Sequence, residues 1–347
     1  MAGLVSRLCQ RDHRVTLITL DDGDADRHCV DGGVKRVALN LMRSSRGIWQ
    51  KLANNKERLN AISQTVGSER PDVTLSFCDR TNISTLLATR RLGIPVVVSE
   101  RSDPIKHRLN YWWHLARRRA YPLASRVVAL TDTAAKHLQP MSRRPVVVIP
   151  SAVDFPDIVS DRDTASAERC VIGVGRLEYE KGFDRLIRAF DIATTKNPDW
   201  NLRIVGEGSM RDELEEIVRD LKLKSRVSLP GWINPIWPEV AAATVFALPS
   251  RYEGFPSALL EAMAAGVPSI AVDCESGPRA IIRHQKNGIL VRNSVEELAT
   301  GINRLINEDE LRETIGQTGR EVIQKFSWDK MVDAYETLLS EVAGRKL

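Results

Sequence analysis

Gly173-Val174-Gly175-Arg176-Leu177-Glu178-Tyr179-Glu180-Lys181-Gly182 closes a short apolar run that begins at Cys170. Two glycines end the run, and a guanidinium and an ammonium follow, five residues apart. Some eighty residues downstream stands Glu253-Gly254-Phe255-Pro256-Ser257-Ala258-Leu259-Leu260-Glu261, two carboxylates eight apart around a Gly-Phe-Pro turn. The second carboxylate falls inside a helix-like run, Ser257 to Ala265. Glycines let a backbone approach a ligand closely, and Arg with Lys can neutralise a diphosphate. Carboxylates repel phosphate but accept hydrogen bonds from sugar hydroxyls. A site with both chemistries suits a nucleotide-sugar. The dinucleotide fingerprint is absent, because Glu178 stands where its third glycine belongs. Taken singly, Gly173-x-Gly175 also reads as an ordinary strand-to-loop turn, and the two acids as exposed helix-flanking residues.

Working outward, β-branched apolar runs recur every 20–30 residues: Arg14–Leu20, Asp72–Phe77, Pro95–Ser99, Arg126–Leu130 and Val146–Ile149, then Cys170–Val174, Leu202–Val205, Val227–Leu229, Val245–Leu248, Ser269–Val272 and Gly288–Val291. Between them, Asp184–Thr195 and Met210–Leu221 show the i, i+3, i+4 spacing of amphipathic helices. Alternation of strand and helix predicts an α/β protein with two parallel, doubly wound sheets. Asp31–Leu41 is ambiguous and reads as an extra strand, then a loop. The chain of 347 residues is too long for one ordinary core and fits two domains. The expected division is a first domain over 1–155, a polar linker over 156–168, a second domain over 169–326 and a terminal helix over 327–347.

The Arg-x4-Lys segment after Gly-x-Gly, followed by Glu-x7-Glu, resembles the retaining glycosyltransferase family 4. The likeness is strongest from Cys170 to Ala280 and weaker over nearly all the rest. It implies the GT-B fold, two Rossmann-like domains facing a cleft, with the terminal helix crossing back onto the first. It also implies roles: Glu253, Arg176 and Lys181 at the reacting centre, with Arg176 and Lys181 clamping the donor's phosphates. Gly175, Gly206, Glu207, Gly254, Phe255, Pro256 and Glu261 would line the rest of the donor site, Glu261 facing the ribose. The nucleobase would meet the loops Gly206-Glu207-Gly208 and Gly231-Trp232-Ile233-Asn234, although Trp232 and Trp237 read first as core packing. On the acceptor side, Glu100 or Arg101 stands where many relatives carry a histidine. The stretch Ser99-Glu100-Arg101-Ser102-Asp103-Pro104 resembles enzymes that extend polyprenyl-diphosphate-linked sugars, such as N-acetylgalactosamine transferases. The expected partners are a nucleoside-diphosphate (UDP) sugar and a lipid-linked or polysaccharide acceptor of cell-surface glycan assembly. No cofactor or metal is expected.

One departure bears on activity. Relatives open with an apolar strand and a Gly-Gly loop before their first helix. Here Met1 to Leu8 already reads as that helix, so the first strand is expected to be missing and Leu4, Val5 and Leu8 to be poorly covered. The alternative reading is therefore a truncated, non-catalytic GT-B remnant or partner subunit.

Charge separates the halves. Residues 1–160 hold 25 Lys and Arg against 15 Asp and Glu, whereas residues 161–347 hold 25 against 30. A basic first half suits an anionic partner. Tyr111-Trp112-Trp113 with Arg117, Arg118 and Arg119 adds aromatics at helical spacing and points to an anionic membrane surface. No nucleic-acid motif is present. Five scattered cysteines with no Cys-x-x-Cys suit a reducing compartment, and no apolar run is long enough to span a bilayer. With no signal peptide recognised in Met1 to Gln10, the expected location is cytoplasmic, peripheral at the inner face of the membrane.

Overall fold

A computed structural model describes residues 1–22, 29–43, 47–106, 110–154 and 168–344. Each β-branched run forms a strand. In the first half these are β1 (Thr16–Thr19), β2 (Lys35–Ala38), β3 (Thr74–Phe77), β4 (Val96–Ser99), β5 (Arg126–Ala129) and β6 (Val147–Val148). In the second they are β7 (Glu168–Val174), β8 (Asn201–Val205), β9 (Val227–Gly231), β10 (Ala243–Leu248), β11 (Ser269–Val272) and β12 (Ile289–Val291). The ambiguous segment after Asp31 contributes β2, and all the strand pairings are parallel.

The chain divides into two compact units, Met1–Ile149 together with Trp328–Leu347, and Pro150–Ser327. The linker expected over 156–168 lies outside the described residues up to its last position, where Glu168 opens β7.

The second unit holds one six-stranded sheet ordered β12-β11-β10-β7-β8-β9. β7 and β10 are sequentially distant neighbours at its centre, so the strand order reverses between them. Their apolar residues are buried on both faces, as helices covering both sides of a parallel sheet require. Helix Phe183–Ala193 shows why: Phe183, Leu186, Ile187 and Phe190 fall on one stripe and are all buried.

The first unit holds a four-stranded sheet, β3-β4-β5-β6, and a separate pair, β1-β2. Among the described residues no strand joins the two. The expected poor cover of the opening helix is nevertheless overturned: in Ala2–Gln10, Leu4, Val5 and Leu8 are all buried. The cover comes in part from helix Trp328–Val342, which packs against it. The Arg7 guanidinium lies 4.2 Å over the Trp328 ring. Arg11 donates to Asp333 at 2.5 Å and to Glu336 at 2.8 Å, and His13 Nε2 meets Glu336 Oε1 at 2.6 Å. Deeper in the unit, the Tyr335 hydroxyl is buried 3.0 Å from Ser99 Oγ, with its ring against Phe77.

Candidate functional site

In an open parallel sheet, loops leaving the strand ends on either side of a reversal in strand order diverge and leave a crevice. In the second unit that point lies between β7 and β10. The loop after β7 carries Gly175 to Gly182, and the loop after β10 carries Pro249 to Pro256. Close packing of these loops demands glycine at two places. Gly182 has φ +69°, and any Cβ there would run into the Pro249 carbonyl oxygen. Gly206, after β8, has φ +149°, and a Cβ would strike the Gly175 carbonyl.

The loops bring the two sequence motifs together. Lys181 Nζ donates to Glu253 Oε1 at 2.6 Å, and Ser250 Oγ donates to the same oxygen at 2.7 Å. Glu253 is only 8% exposed. Arg176 lies apart from this pair, with a largely exposed side chain that meets Glu180 at 2.8 Å. Gly254 is half-buried, and its carbonyl accepts from Ser276 Oγ at 3.4 Å. Phe255 is buried edge-on to Phe326, while Pro256 stands as the N-cap of helix Ser257–Ala264.

Glu261 lies one turn into that helix, half-buried. Among the described residues its carboxyl has no hydrogen-bond partner. Burial, reinforced by the charge of Asp154, pushes it up to about 7.

On the other side of β7, Leu177 N donates to the Glu207 carbonyl at 2.9 Å, tying the first loop to Gly206–Ser209. Glu178 accepts from Ser209 through N (3.1 Å) and Oγ (2.8 Å). The Glu207 side chain turns to Arg211, which donates to it at 2.6 and 2.9 Å. Trp232 is 48% exposed, so the expectation that it packs in the core fails. It occupies a loop after the edge strand β9.

In the first unit, Ser99-Glu100-Arg101-Ser102-Asp103-Pro104 leaves the end of β4. Glu100 is buried, accepts from the Tyr121 hydroxyl at 2.5 Å and lies 3.8 Å from the buried Arg117 guanidinium. Burial outweighs both partners and pushes its carboxyl up to about 7. Asp103 accepts from the amides of Ile105 and Lys106, at 2.8 and 3.3 Å, and so caps the turn. Arg101 is half-buried, its guanidinium 5.9 Å from the Phe77 ring centre.

The aromatic and basic cluster of helix Tyr111–Ala120 does not present one face. Arg117 points inward to Glu100, and Trp113 packs on the core of the unit beneath the Arg80 guanidinium. Tyr111, Trp112, Arg118 and Arg119 remain exposed. The correction follows from helical periodicity, since Trp113 and Arg117 are four residues apart and share the buried side.

Several site residues carried no sequence signal. Ser250 and Arg251 lie in the loop after β10 and Asp184 opens the helix after the first loop, but only folding sets Arg251 against Asp184, and neither motif contains any of the three. Tyr121 meets Glu100 across 21 residues. Among the described residues no helix is long and apolar enough to cross a membrane. Nor do three or more His, Cys, Asp or Glu side chains there converge as metal ligands.

The family model Glycosyl transferase 4-like domain matches residues 1–152, and Glycosyl transferases group 1 matches residues 154–322. An uncharacterized glycosyltransferase of Haemophilus influenzae is 31% identical over 172 residues, 49% of this chain; the match likewise spans about half (49%) of that protein. A Campylobacter jejuni α-1,4-N-acetyl-D-galactosaminyltransferase, named for a GalNAc-GalNAc-diNAcBac-PP-undecaprenol acceptor, is 24% identical over 98% of this chain and 93% of its own. Among solved structures, Anabaena HepE in complex with UDP and glucose superposes with a TM-score of 0.80 at 21% identity, covering 98% of this chain and 94% of that one.

Proposed function

Since the chain belongs to the glycosyltransferases of the GT-B fold, with a 4-like domain followed by a group 1 domain, we propose that it transfers a sugar with retention, as in family 4. The donor is a UDP-sugar, and the acceptor a lipid-linked or polysaccharide glycan of cell-surface assembly. The transferred unit is a hexose or N-acetylhexosamine.

The observation that carries this reading is the Lys181–Glu253 pair at the strand reversal. A cation and a carboxylate that neutralise each other without donor are the two groups a nucleotide-sugar needs separately. Lys181, joined by Arg176, offsets the charge that grows on the leaving diphosphate as the glycosidic bond breaks. Glu253, released, accepts from hydroxyls of the donor sugar and stabilises it without acting as nucleophile. Glu261 receives the ribose hydroxyls. The acceptor hydroxyl attacks from the face the diphosphate leaves, and the leaving phosphate takes its proton.

The first unit binds the acceptor. Arg101 is its foremost candidate contact, with Glu100 holding the turn from behind. Support for the lipid-linked class comes from the acceptor named for the Campylobacter relative. Tyr111, Trp112, Arg118 and Arg119 would rest on an anionic membrane surface. Release of nucleotide from a panel of nucleotide-sugars, with and without lipid-linked acceptor, tests the function. UDP release that requires acceptor and falls on Lys181→Ala supports it.

One observation favours the non-catalytic alternative, the lack of a described strand between β1-β2 and β3-β6. UDP binding without any transfer across the panel would establish that reading.

A further inference from the structure

Arg251 joins the two site loops through its backbone and its guanidinium. Its backbone amide donates to the Glu180 carbonyl at 2.8 Å. Its Nη1 donates to the Tyr179 carbonyl at 2.6 Å. Its guanidinium grips Asp184 bidentately, Nη1 to Oδ1 at 2.9 Å and Nη2 to Oδ2 at 2.7 Å. The same group lies 4.0 Å over the Tyr179 ring. Arg251 and Asp184 side chains are each 18% exposed, so the pair is shielded from much of the solvent. Asp184 sits in the first turn of helix Phe183–Ala193, where a carboxylate complements the helix dipole. Though burial opposes it, Arg251 holds that carboxyl below the usual range.

These contacts enclose Lys181. Glu180 before it and Tyr179 accept from Arg251, and Asp184 anchors the helix that begins two residues after it. A planar fork that binds a carboxylate, a carbonyl and a ring face at once fixes orientation in a way an ammonium cannot. Lys181 itself has a flexible four-carbon stem, so its reach to a phosphate depends on where its backbone is held.

We infer that Arg251, with Asp184 as its anchor, is a positioning residue that staples the loop after β10 to the loop after β7 and thereby places Lys181 for the donor's diphosphate. The inference rests on the donor-site reading of Lys181 and adds two residues that reach the ligand only through it. It also accounts for why the arginine directly follows Ser250. The side chain that steers Glu253 and the one that steers Lys181 are adjacent in the chain, so one strand end sets both.

The test pairs a backbone measurement with a binding measurement. Arg251→Met keeps the stem and removes the fork, and Asp184→Asn keeps the shape and removes the anchor's charge. In hydrogen exchange, both variants are expected to speed exchange at the Lys181 and Gly182 amides at least about tenfold, with β11 and β12 unchanged. That readout needs no substrate. Unchanged exchange at those amides overturns the staple whether or not the protein is an enzyme. In UDP titration, Arg251→Met should weaken binding about tenfold, with Arg251→Lys recovering only part. Lys181→Ala should then cost much less in the Arg251→Met background than in wild type, because the two act as one unit. Full additivity of the two substitutions, with exchange altered, means that Arg251 only stabilises the fold and overturns the placement of Lys181. Wild-type protein that binds no UDP, with exchange altered as expected, removes the donor reading and the placement while leaving the loop staple standing.

Discussion

Lys181 Nζ donates a 2.6 Å hydrogen bond to Glu253 Oε1 across the point where the strand order of the second unit reverses. The two residues are 72 apart in sequence and belong to different motifs. Each holds the other in place, and on the proposed donor-site reading the bond opens when donor binds.

Lys181→Ala is therefore expected to lower UDP-sugar turnover about 10²-fold, as loss of one charge partner of a leaving group does. Glu253→Gln should lower the rate with a smaller effect on donor affinity. Because the pair is coupled, the double variant should fall well short of the product of the single effects. Steady-state kinetics of all four proteins decides it; normal kinetics in both single variants would reject the motif assignment.

Two carboxyl groups are expected to make stability depend on pH. Glu261 and Glu100 are each pushed up to about 7, both first by burial. A carboxyl raised on folding favours the native state in full below its ordinary range, near 4.3, and that contribution is lost as pH rises through about 7. Melting temperature should fall between about pH 5 and about pH 8, with Glu100→Gln and Glu261→Gln each flattening the curve. Nucleotide binding should run the other way. If Glu261 receives the ribose as proposed, hydroxyls donate to its ionised form, and UDP affinity should rise from about pH 6 to about pH 8, with proton release in calorimetry. Pairs of buffers of different ionisation enthalpy measure that release directly, and none at Glu261→Gln is the matching control.

Leu4→Ala should destabilise the first unit by about 2–5 kcal/mol, the range for a buried leucine. The expectation follows from its 0% exposure in a helix that packs against Trp328–Val342. Thermal unfolding followed by near-ultraviolet dichroism would detect it, and an unshifted transition would mean the opening helix is loosely held.

Vesicle sedimentation tests the membrane surface. Binding should require anionic lipid and weaken with salt, since each basic residue near such a surface contributes about 1 kcal/mol over a Debye length of about 8 Å. Trp112→Ala and the pair Arg118→Gln, Arg119→Gln should reduce it. Arg117 is left out because it is buried against Glu100. Equal binding to neutral and anionic vesicles, or none, removes the surface.

The strands were legible because Val- and Ile-rich runs between polar breaks have few other uses in a chain of this kind. Glu253 and Lys181 were legible because each sits in a short motif. The contacts made outside the motifs were not. Asp184 and Arg251 are 67 residues apart and Glu100 and Tyr121 are 21 apart, so only the wound sheet brings them together. Burial of Leu4 was missed for a related reason. The helix that packs on it is encoded more than three hundred residues later, and its apolar stripe carries no record of its target. Arg117 was misplaced because three consecutive arginines look alike in sequence, while a helix turns each by about 100° and sends one inward.

Tyr335 reaches Ser99 from the far end of the chain, and this has a consequence for biosynthesis. A ribosome delivers residues in order, and domains generally fold as they emerge. The sheet β3-β6 emerges early, yet the hydroxyl that caps Ser99 and the ring that covers Phe77 come only with helix Trp328–Val342. The second unit, encoded without interruption from Pro150 to Ser327, can complete its core while the first still waits. The first unit is thus finished after the second, and during that interval Phe77 and the opening helix lack the part of their cover that Trp328–Val342 supplies.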